Sequence, residues 1–448
     1  MKIHLIGIGG IGVSALAQYY LSKGHEVSGS DLVRSDLTKF LEQKGIKVFI
    51  GNFAKNINKD LDLVVYSPAV KKDNPELKSA IKLQVAGCKL HVLSYPEALG
   101  GLTKEYYTIA VAGAHGKSTA TAMVGLILAK AGLDPTVIVG TKVKEFSAKG
   151  RLASGEGTNF RSGKSKFLVI EACEYDSSFL HYSPKIIVIT NIDKEHFDYF
   201  KNFTNVKKAF KYFIARLPAN GFLVFNKDDK YPPEISKPKF KAIGYSLKQK
   251  EAMKLKKILK VPGMHNVSNA LAALEVARIL DIPDKVSFSA LSEFKGTWRR
   301  FEMKKGTAGN KKIIVVSDYG HHPNEISATL KAAKEKYPKK RIWCVFQPHQ
   351  HQRTYYLFND FVRILRQTQD DYFIDKIIVT DIYDVAGRET KKINAGISSE
   401  KLVRKINKKN IIYLPLRKAE SFVKKNIESG DVLIIMGAGD IYLLADKF

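Results

Sequence analysis

Short apolar runs alternate with longer amphipathic stretches along the whole chain. "IHLIGIGG" is followed by the helical pattern of "VSALAQYYLSKG" and a second strand-like run, "HEVSGSD", which together predict a β-turn-α-β unit. "LDLVVYSPAV" and "KLHVLS" extend that unit to about residue 103. A second series opens with "YYTIAVAG", passes through "AHGKSTAT" into a helix over "TAMVGLILAKAGL", and continues with strands in "KFLVIEACEYD" and "KIIVITNIDKEHFDYF". "VPGMHNVSNALAALEVARIL" reads as a Pro-Gly turn and then a helix, with apolar residues at 267, 270, 271, 274 and 277. A third series begins near "FKGTWRRFE" and places strands in "KIIVVSDYG", "RIWCVFQPHQHQRT", "KIIVTDIYD" and "DVLIIMGAGDIY". Strands alternating with helices predict an α/β protein of parallel or mixed sheets, divided into domains over 1–103, 104–296 and 297–448. The Gly/Ser-rich, basic stretch 147–166 reads as a flexible loop.

Composition narrows the class. With 45% hydrophobic and 26% charged residues in 448, the chain reads as an ordinary soluble globular protein. No apolar run reaches the roughly 18 residues of a membrane span, so no membrane insertion is expected. Lys2, the apolar start and "ALA" at 15–17 imitate a secretory signal, but the glycines crowded between 7 and 29 make a poor apolar core for one. Cys88, Cys173 and Cys344 lie far apart without C-x-x-C spacing, which argues against a disulfide scaffold or a structural zinc site and fits a reducing cytoplasm. The excess of 73 Lys+Arg over 44 Asp+Glu suits anionic partners or simply a solvated surface. The basic residues are dispersed, so a nucleic-acid-binding ATPase is a minor alternative and no nucleic-acid partner is expected.

Candidate chemistry sits just beyond the apolar runs. Gly7, Gly9 and Gly12 have G-x-G-x-x-G spacing, and Asp31 ends the next strand, about 20 residues on. Such glycines let backbone N–H groups and a helix N-terminus approach a diphosphate, whether of a nicotinamide cofactor or of a nucleotide sugar. A purely structural glycine turn is the plainer alternative. In "AGAHGKSTAT" the first glycine of a full phosphate loop is replaced by Val111, but Gly113, Gly116, Lys117 and Ser118 form the shorter G-x-x-G-K-[ST] in the required strand-loop-helix setting. Backbone amides there cradle phosphate, Lys117 adds charge, and the Ser118 hydroxyl is a magnesium ligand. Glu171, and then Asp193, Glu195 and His196, follow two further strands, where ligands collect in open parallel sheets. Asn266 and Asn269 share one face of a first helical turn, to read a base edge or merely to cap. In the last third, Asp318, His321 and His322, then His349, His351 and Arg353, then Asp381 and Asp384 again trail the strands, with spacing that is no strong zinc pattern.

Taken in order, "IHLIGIGGIGVSALAQYYLSKGHEVSGSD", "AGAHGKSTAT", "SFLHYSPKIIVITNIDKEHFD", "PGMHNVSNALAAL", "GTWRRFE", "DYGHHPNE" and "FQPHQHQRT" resemble the Mur ligase family over essentially the whole chain. The family's phosphate loop also lacks the distant glycine. The resemblance implies a Rossmann-like UDP-binding domain, a central P-loop domain and a C-terminal Rossmann-like domain for the amino acid. It implies an ATP-dependent ligase in peptidoglycan precursor synthesis, with UDP-N-acetylmuramic acid, ATP and L-alanine as substrates. Gly7, Gly9, Gly10, Gly12, Asp31 and Ser67 would bind the UDP-sugar. Gly113, Ala114, His115, Gly116, Lys117, Ser118, Thr119, Asn266, Asn269, Arg300 and Asp318 would bind ATP. Ser118, Glu171 and His196 would hold magnesium, two ions in all, and Lys117, Glu171, His196 and Arg300 would carry catalysis. His349, Arg353 and His322 would hold the amino acid. The chain is expected to be cytoplasmic, and a monomer or weak homodimer.

Two departures from the family pattern bear on specificity. "EACEY" stands where the alanine-adding member has "EADES", with Cys173 and Tyr175 as the differences. Gln350 replaces the first arginine of the motif "QPHR" while Arg353 keeps the second, which leaves glycine and L-serine as alternative acceptors. A relative that adds a murein tripeptide to the same UDP-sugar is an alternative, as is a nicotinamide-dependent dehydrogenase.

Overall fold

The computed structural model describes residues 1–147, 157–235, 238–384 and 396–448. Three sheets carry the architecture. The first holds β1 (Lys2–Ile6), β2 (Glu26–Asp31), β3 (Lys47–Ile50), β4 (Leu63–Tyr66) and β5 (His91–Ser94), all parallel, in the order β3-β2-β1-β4-β5. The second holds β6 (Tyr107–Ala112), β7 (Thr136–Val143), β8 (Thr158–Arg161), β9 (Phe167–Glu171), β10 (Ile186–Ile189), β11 (Phe222–Asn226) and β12 (Lys241–Tyr245), in the order β12-β11-β10-β6-β9-β7-β8. Only β7 and β8 run antiparallel there. The third holds β13 (Glu302–Ala308), β14 (Lys311–Asp318), β15 (Ile342–Phe346), β16 (Lys376–Val379), β17 (Ile411–Tyr413) and β18 (Val432–Met436), in the order β13-β14-β18-β15-β16-β17, with β13 antiparallel to β14. The α/β expectation therefore holds.

The chain divides into two compact units. One comprises Met1–Asp193, Val206–Gln249 and Asn269–Ser292; the other comprises Lys194–Asn205, Lys250–Ser268 and Glu293–Phe448. The first two sheets thus share a unit, and the segment after Asp193 that carries His196 groups with the third sheet.

The continuous apolar runs follow from burial on both faces of a parallel sheet. In β18, Val432, Ile434 and Met436 pack into one core with Phe346, Phe361 and Leu402, while Leu433 and Ile435 pack into the opposite core with Trp343, Val423 and Ala419. Burying each such side chain stabilises by roughly 1.5–3 kcal/mol, so a polar residue anywhere in that strand is costly. Where one face is wet, as in β13, the sequence "EMKKGTA" carries no apolar run, and sequence pattern alone misses the strand.

The stretch 147–166 departs from its reading as a loop. Residues 148–156 lie outside the described residues, but Thr158–Arg161 forms β8, with Arg161 opposite Val137 and Phe160 opposite Ile138. Four residues are too few to show a period. What makes them a strand is tertiary: Phe160 packs edge-on against Tyr19 of helix Ile11–Ser22, with ring centroids 6.4 Å apart. Among the described residues, no helix is long and apolar enough to cross a membrane.

Candidate active site

In the first sheet the chain leaves β1 between neighbours that lead to opposite sides, and the glycine loop fills that switch point. Gly7 has φ +79°, and the N–H groups of Gly7 and Ile8 both donate to the Ser30 carbonyl, at 2.8 and 3.0 Å. Gly10 precedes the first turn of helix Ile11–Ser22. Asp31 does not point away from the loop: its Oδ2 accepts the Gly9 N–H at 2.9 Å, and a Cβ on Gly9 would lie 2.8 Å from that oxygen. Gly12 is required by Tyr95, whose hydroxyl and Cζ would be 2.9 Å from a Cβ there. Ser67 begins the turn after β4 and accepts the Ala69 N–H on its hydroxyl at 3.3 Å.

The second sheet repeats the device with more charge. β6 lies between β9 and β10, with Val111 beside Glu171 and Ala112 beside Ile189. The loop after β6 is therefore flanked by Glu171 on one side and Asn191 on the other. Gly113 (φ +136°) and Gly116 (φ +82°) adopt conformations that other residues rarely take, and helix Lys117–Lys130 starts at once, its free N–H groups suited to an anion. Asn191 braces the loop through His115, accepting its N–H and donating to its carbonyl, both at 2.9 Å; the His115 ring lies 3.1 Å from Asp193. A Cβ on Gly116 would run into the Asn269 side chain, which places that asparagine against the loop. Asn266, by contrast, donates its amide to the Pro262 carbonyl at 2.6 Å, tying the first helical turn to the Pro-Gly turn before it.

Lys117 donates to the carbonyls of Gly113 at 2.6 Å and Ala114 at 3.2 Å, and pairs with Glu174 at 3.0 Å. Burial disfavours its ammonium form, but Glu174 and, behind it, Glu171 outweigh that and hold it above the ordinary lysine range. Cys173 adds no charge, because burial pushes its thiol up to about 12. Ser118 donates to Glu171 Oε2 at 2.8 Å, and the Gly140 N–H donates to the same oxygen at 2.8 Å. Two oxygen donors so close form a ligand set of the hard kind that magnesium takes. Thr119 is buried in the same turn.

The other unit gathers a second group at the carboxyl ends of adjacent strands β14, β18 and β15. Arg353 reaches His349, with 3.0 Å to its Nδ1 and 3.2 Å to its carbonyl, and pairs with Glu195 at 3.3 Å. Burial opposes the Glu195 carboxylate, but Arg353 together with His322, His196 and His321 holds it well below the usual carboxylate range. Lys194, Glu195, His196, Gln350, Arg353 and Tyr356 line one recess, so the structure brings His196 together with Arg353. Gln350 has φ +70°, a costly backbone for a non-glycine residue. His322 caps helix Pro323–Lys336, accepting the Asn324 N–H on its ring at 3.3 Å.

Arg300 pairs with Glu325 at 3.5 Å and lies over the Tyr319 ring. Asp318 accepts N–H groups from Phe301 and Gly320, both at 2.8 Å, and the Thr329 hydroxyl at 3.2 Å. It is buried and spends its oxygens on holding the turn that presents Arg300. Pattern reading passed over Glu174, Gly140 and Asn191. Glu174 was visible only as the second acid of "EACEY", and the other two matter through backbone contacts that a sequence does not display.

Family models match all three sheets. The Mur ligase family catalytic domain covers residues 2–107, the Mur ligase middle domain 111–277, and the Mur ligase glutamate ligase domain 299–439. The chain belongs to the Mur ligase family. A UDP-N-acetylmuramate--L-alanine ligase of Acetivibrio thermocellus is 40% identical, over 100% of this chain and 95% of its own. The UDP-N-acetylmuramate-alanine ligase of Thermotoga maritima has a similar structure, at 27% identity and TM-score 0.77, over 100% of this chain and 98% of its own. A murein peptide ligase of Psychrobacter arcticus shares the fold, at 21% identity and TM-score 0.67 over 100% and 98%. In this Mur ligase, then, Val111 is a buried residue of β6, paired with Glu171 of β9.

Proposed function

We propose that this chain joins the lactyl carboxylate of UDP-N-acetylmuramic acid to the amine of L-alanine, coupled to cleavage of ATP to ADP and phosphate, in peptidoglycan precursor synthesis. The observation that carries the reading is the presence of two glycine loops at helix N-termini in one compact unit, the turn after β1 and the Lys117–Ser118 loop after β6. A dehydrogenase would leave the second loop, Glu171 and Glu174 without a task. The likeness to alanine ligases over the whole chain favours the small acceptor over a murein tripeptide.

A carboxylate is a poor acyl donor because its oxygen leaves badly. Its attack on the γ-phosphorus of ATP forms an O–P bond and releases ADP, giving an acyl phosphate. The amine then attacks the carbonyl carbon, the tetrahedral intermediate expels phosphate, and the nitrogen loses a proton. Phosphoryl transfer of this kind is catalysed mainly by positioning and charge. The amides of Gly113 to Thr119 and the Lys117 ammonium bind the phosphates, with Glu174 orienting Lys117. Ser118 and Glu171 are suited to one magnesium ion and His196 to a second; the ions would offset negative charge on the phosphates. Gly7, Gly9, Gly10, Gly12 and Ser67 hold the UDP-sugar, with Asp31 fixing the Gly9 amide. Asn269 and Asn266 serve the adenine side, Arg300 and Asp318 are assigned to ATP, and His349, Arg353 and His322 serve the amino acid. The reading divides the chain at 1–103, 104–296 and 297–448 and carries with it a cytoplasmic location, as a monomer or weak homodimer.

The test is phosphate release from ATP and magnesium with UDP-N-acetylmuramic acid across L-alanine, glycine, L-serine and the murein tripeptide. Stimulation by L-alanine is expected. Stimulation by the tripeptide alone, or by none of the four, overturns the reading.

A further inference from the structure

Helix Ile11–Ser22 begins directly behind the glycine loop, and a buried side chain from the second sheet grips its first turn. Asn159, on β8, donates its amide to the Ile11 carbonyl and, at 2.9 Å, to the Ser14 hydroxyl. Its Oδ1 accepts from Gln18 Nε2 at 2.8 Å, and Gln18 Oε1 accepts from the Thr158 hydroxyl at 3.2 Å. Asn159 is 1% exposed, Gln18 3% and Ser14 0%, so water replaces none of these partners. The same pair of strands reaches the helix after the phosphate loop through Glu171, which accepts from Ser118. The β7–β8 register shifts between Ile138 and Val143, and within that irregular stretch the Gly140 N–H turns to Glu171. One pair of strands therefore bonds the helix behind the glycine loop through β8 and the Glu171 carboxylate through β7.

We infer that Asn159 is a positioning residue that sets the glycine loop against the phosphate loop, acting through the Ile11 carbonyl and Ser14. The inference rests on the function proposed above. Apolar contacts alone, such as Phe160 on Tyr19, are non-directional and permit sliding; a satisfied amide network fixes one register. Register matters because the substrate carboxylate must meet the γ-phosphorus, and a misplacement of about 1 Å costs on the order of 100-fold in rate.

The test uses the full chain with Asn159→Asp, which keeps the size and the acceptor for Gln18 but loses both donated hydrogen bonds. Binding of UDP-N-acetylmuramic acid and of ATP, each measured alone by calorimetry, should stay within about threefold, while kcat for phosphate release falls at least about tenfold. Asn159→Ser, carried alongside in case the aspartate does not fold, should show the same split. Ser14→Ala should lower kcat less, and add little in the Asn159→Asp background, because both act on one contact. A merely structural asparagine predicts the opposite: a lower Tm with unchanged kcat in the folded protein. An active wild type with variants of equal kcat overturns the inference alone. A wild type without turnover overturns the proposed function, and the inference with it.

Discussion

Ser118 and Glu171 are joined by a hydrogen bond of 2.8 Å, and Gly140 closes on the same carboxylate oxygen from the neighbouring strand. The relationship depends on Gly140 having no side chain, since a Cβ there would lie 2.7 Å from Glu171 Oε2.

Gly140→Ala should therefore displace Glu171 without touching the sugar loop. A magnesium titration of phosphate release is expected to show a requirement raised about 10–100-fold, the range seen when groups that orient a metal ligand are altered. Binding of UDP-N-acetylmuramic acid should be unchanged. An unaltered magnesium dependence would remove Glu171 from the metal site.

Lys117→Ala should abolish turnover while leaving the UDP-sugar site intact. It should also destabilise, because Glu174 is 1% exposed and loses the ammonium it pairs with at 3.0 Å. Breaking a buried pair from one side costs about 3–5 kcal/mol. Adding Glu174→Gln should restore much of that stability, read by chemical denaturation, and none of the activity.

Glu195→Gln keeps the shape of the side chain but removes the charge that faces Arg353. A charge-assisted contact contributes about 1.5–3 kcal/mol, so the KM for the amino acid should rise about tenfold or more while the KM for ATP stays put. Equal shifts in both would separate Arg353 from the acceptor.

Burial pushes the His321 imidazole down to about 4, with Glu325 opposing and Arg353 assisting. The unfolded chain takes up this proton near 6.5 and the folded chain only near 4, so stability should fall as pH drops from 6.5 toward 4 and level off below. The loss is on the order of 3 kcal/mol. His321→Gln should flatten that part of the profile in denaturant titrations.

Much of this was legible beforehand because its cause is local. The glycines at 7, 113 and 116 sit at positive φ, so a backbone requirement became a letter in the sequence. The strands β6, β10 and β18 are buried on both faces and read as unbroken apolar runs. By contrast β8 is four residues long and β13 is half wet, so neither shows a period. Asp318 read as a nucleotide contact, and its hydrogen bonds from Phe301, Gly320 and Thr329 were not legible in the sequence.

The sequence by itself determined the α/β class, the two glycine loops and the order of the motifs, since each rests on residues adjacent in the chain and on steric rules that act over a few bonds. Only the tertiary structure decided which distant groups meet. Lys117 finds Glu174, Ser118 finds Glu171, and Asn159 finds Ile11, across separations of 57, 53 and 148 residues. Those pairings follow from strand order and burial, where an unpaired polar group is costly, and neither strand order nor burial is written in any one segment.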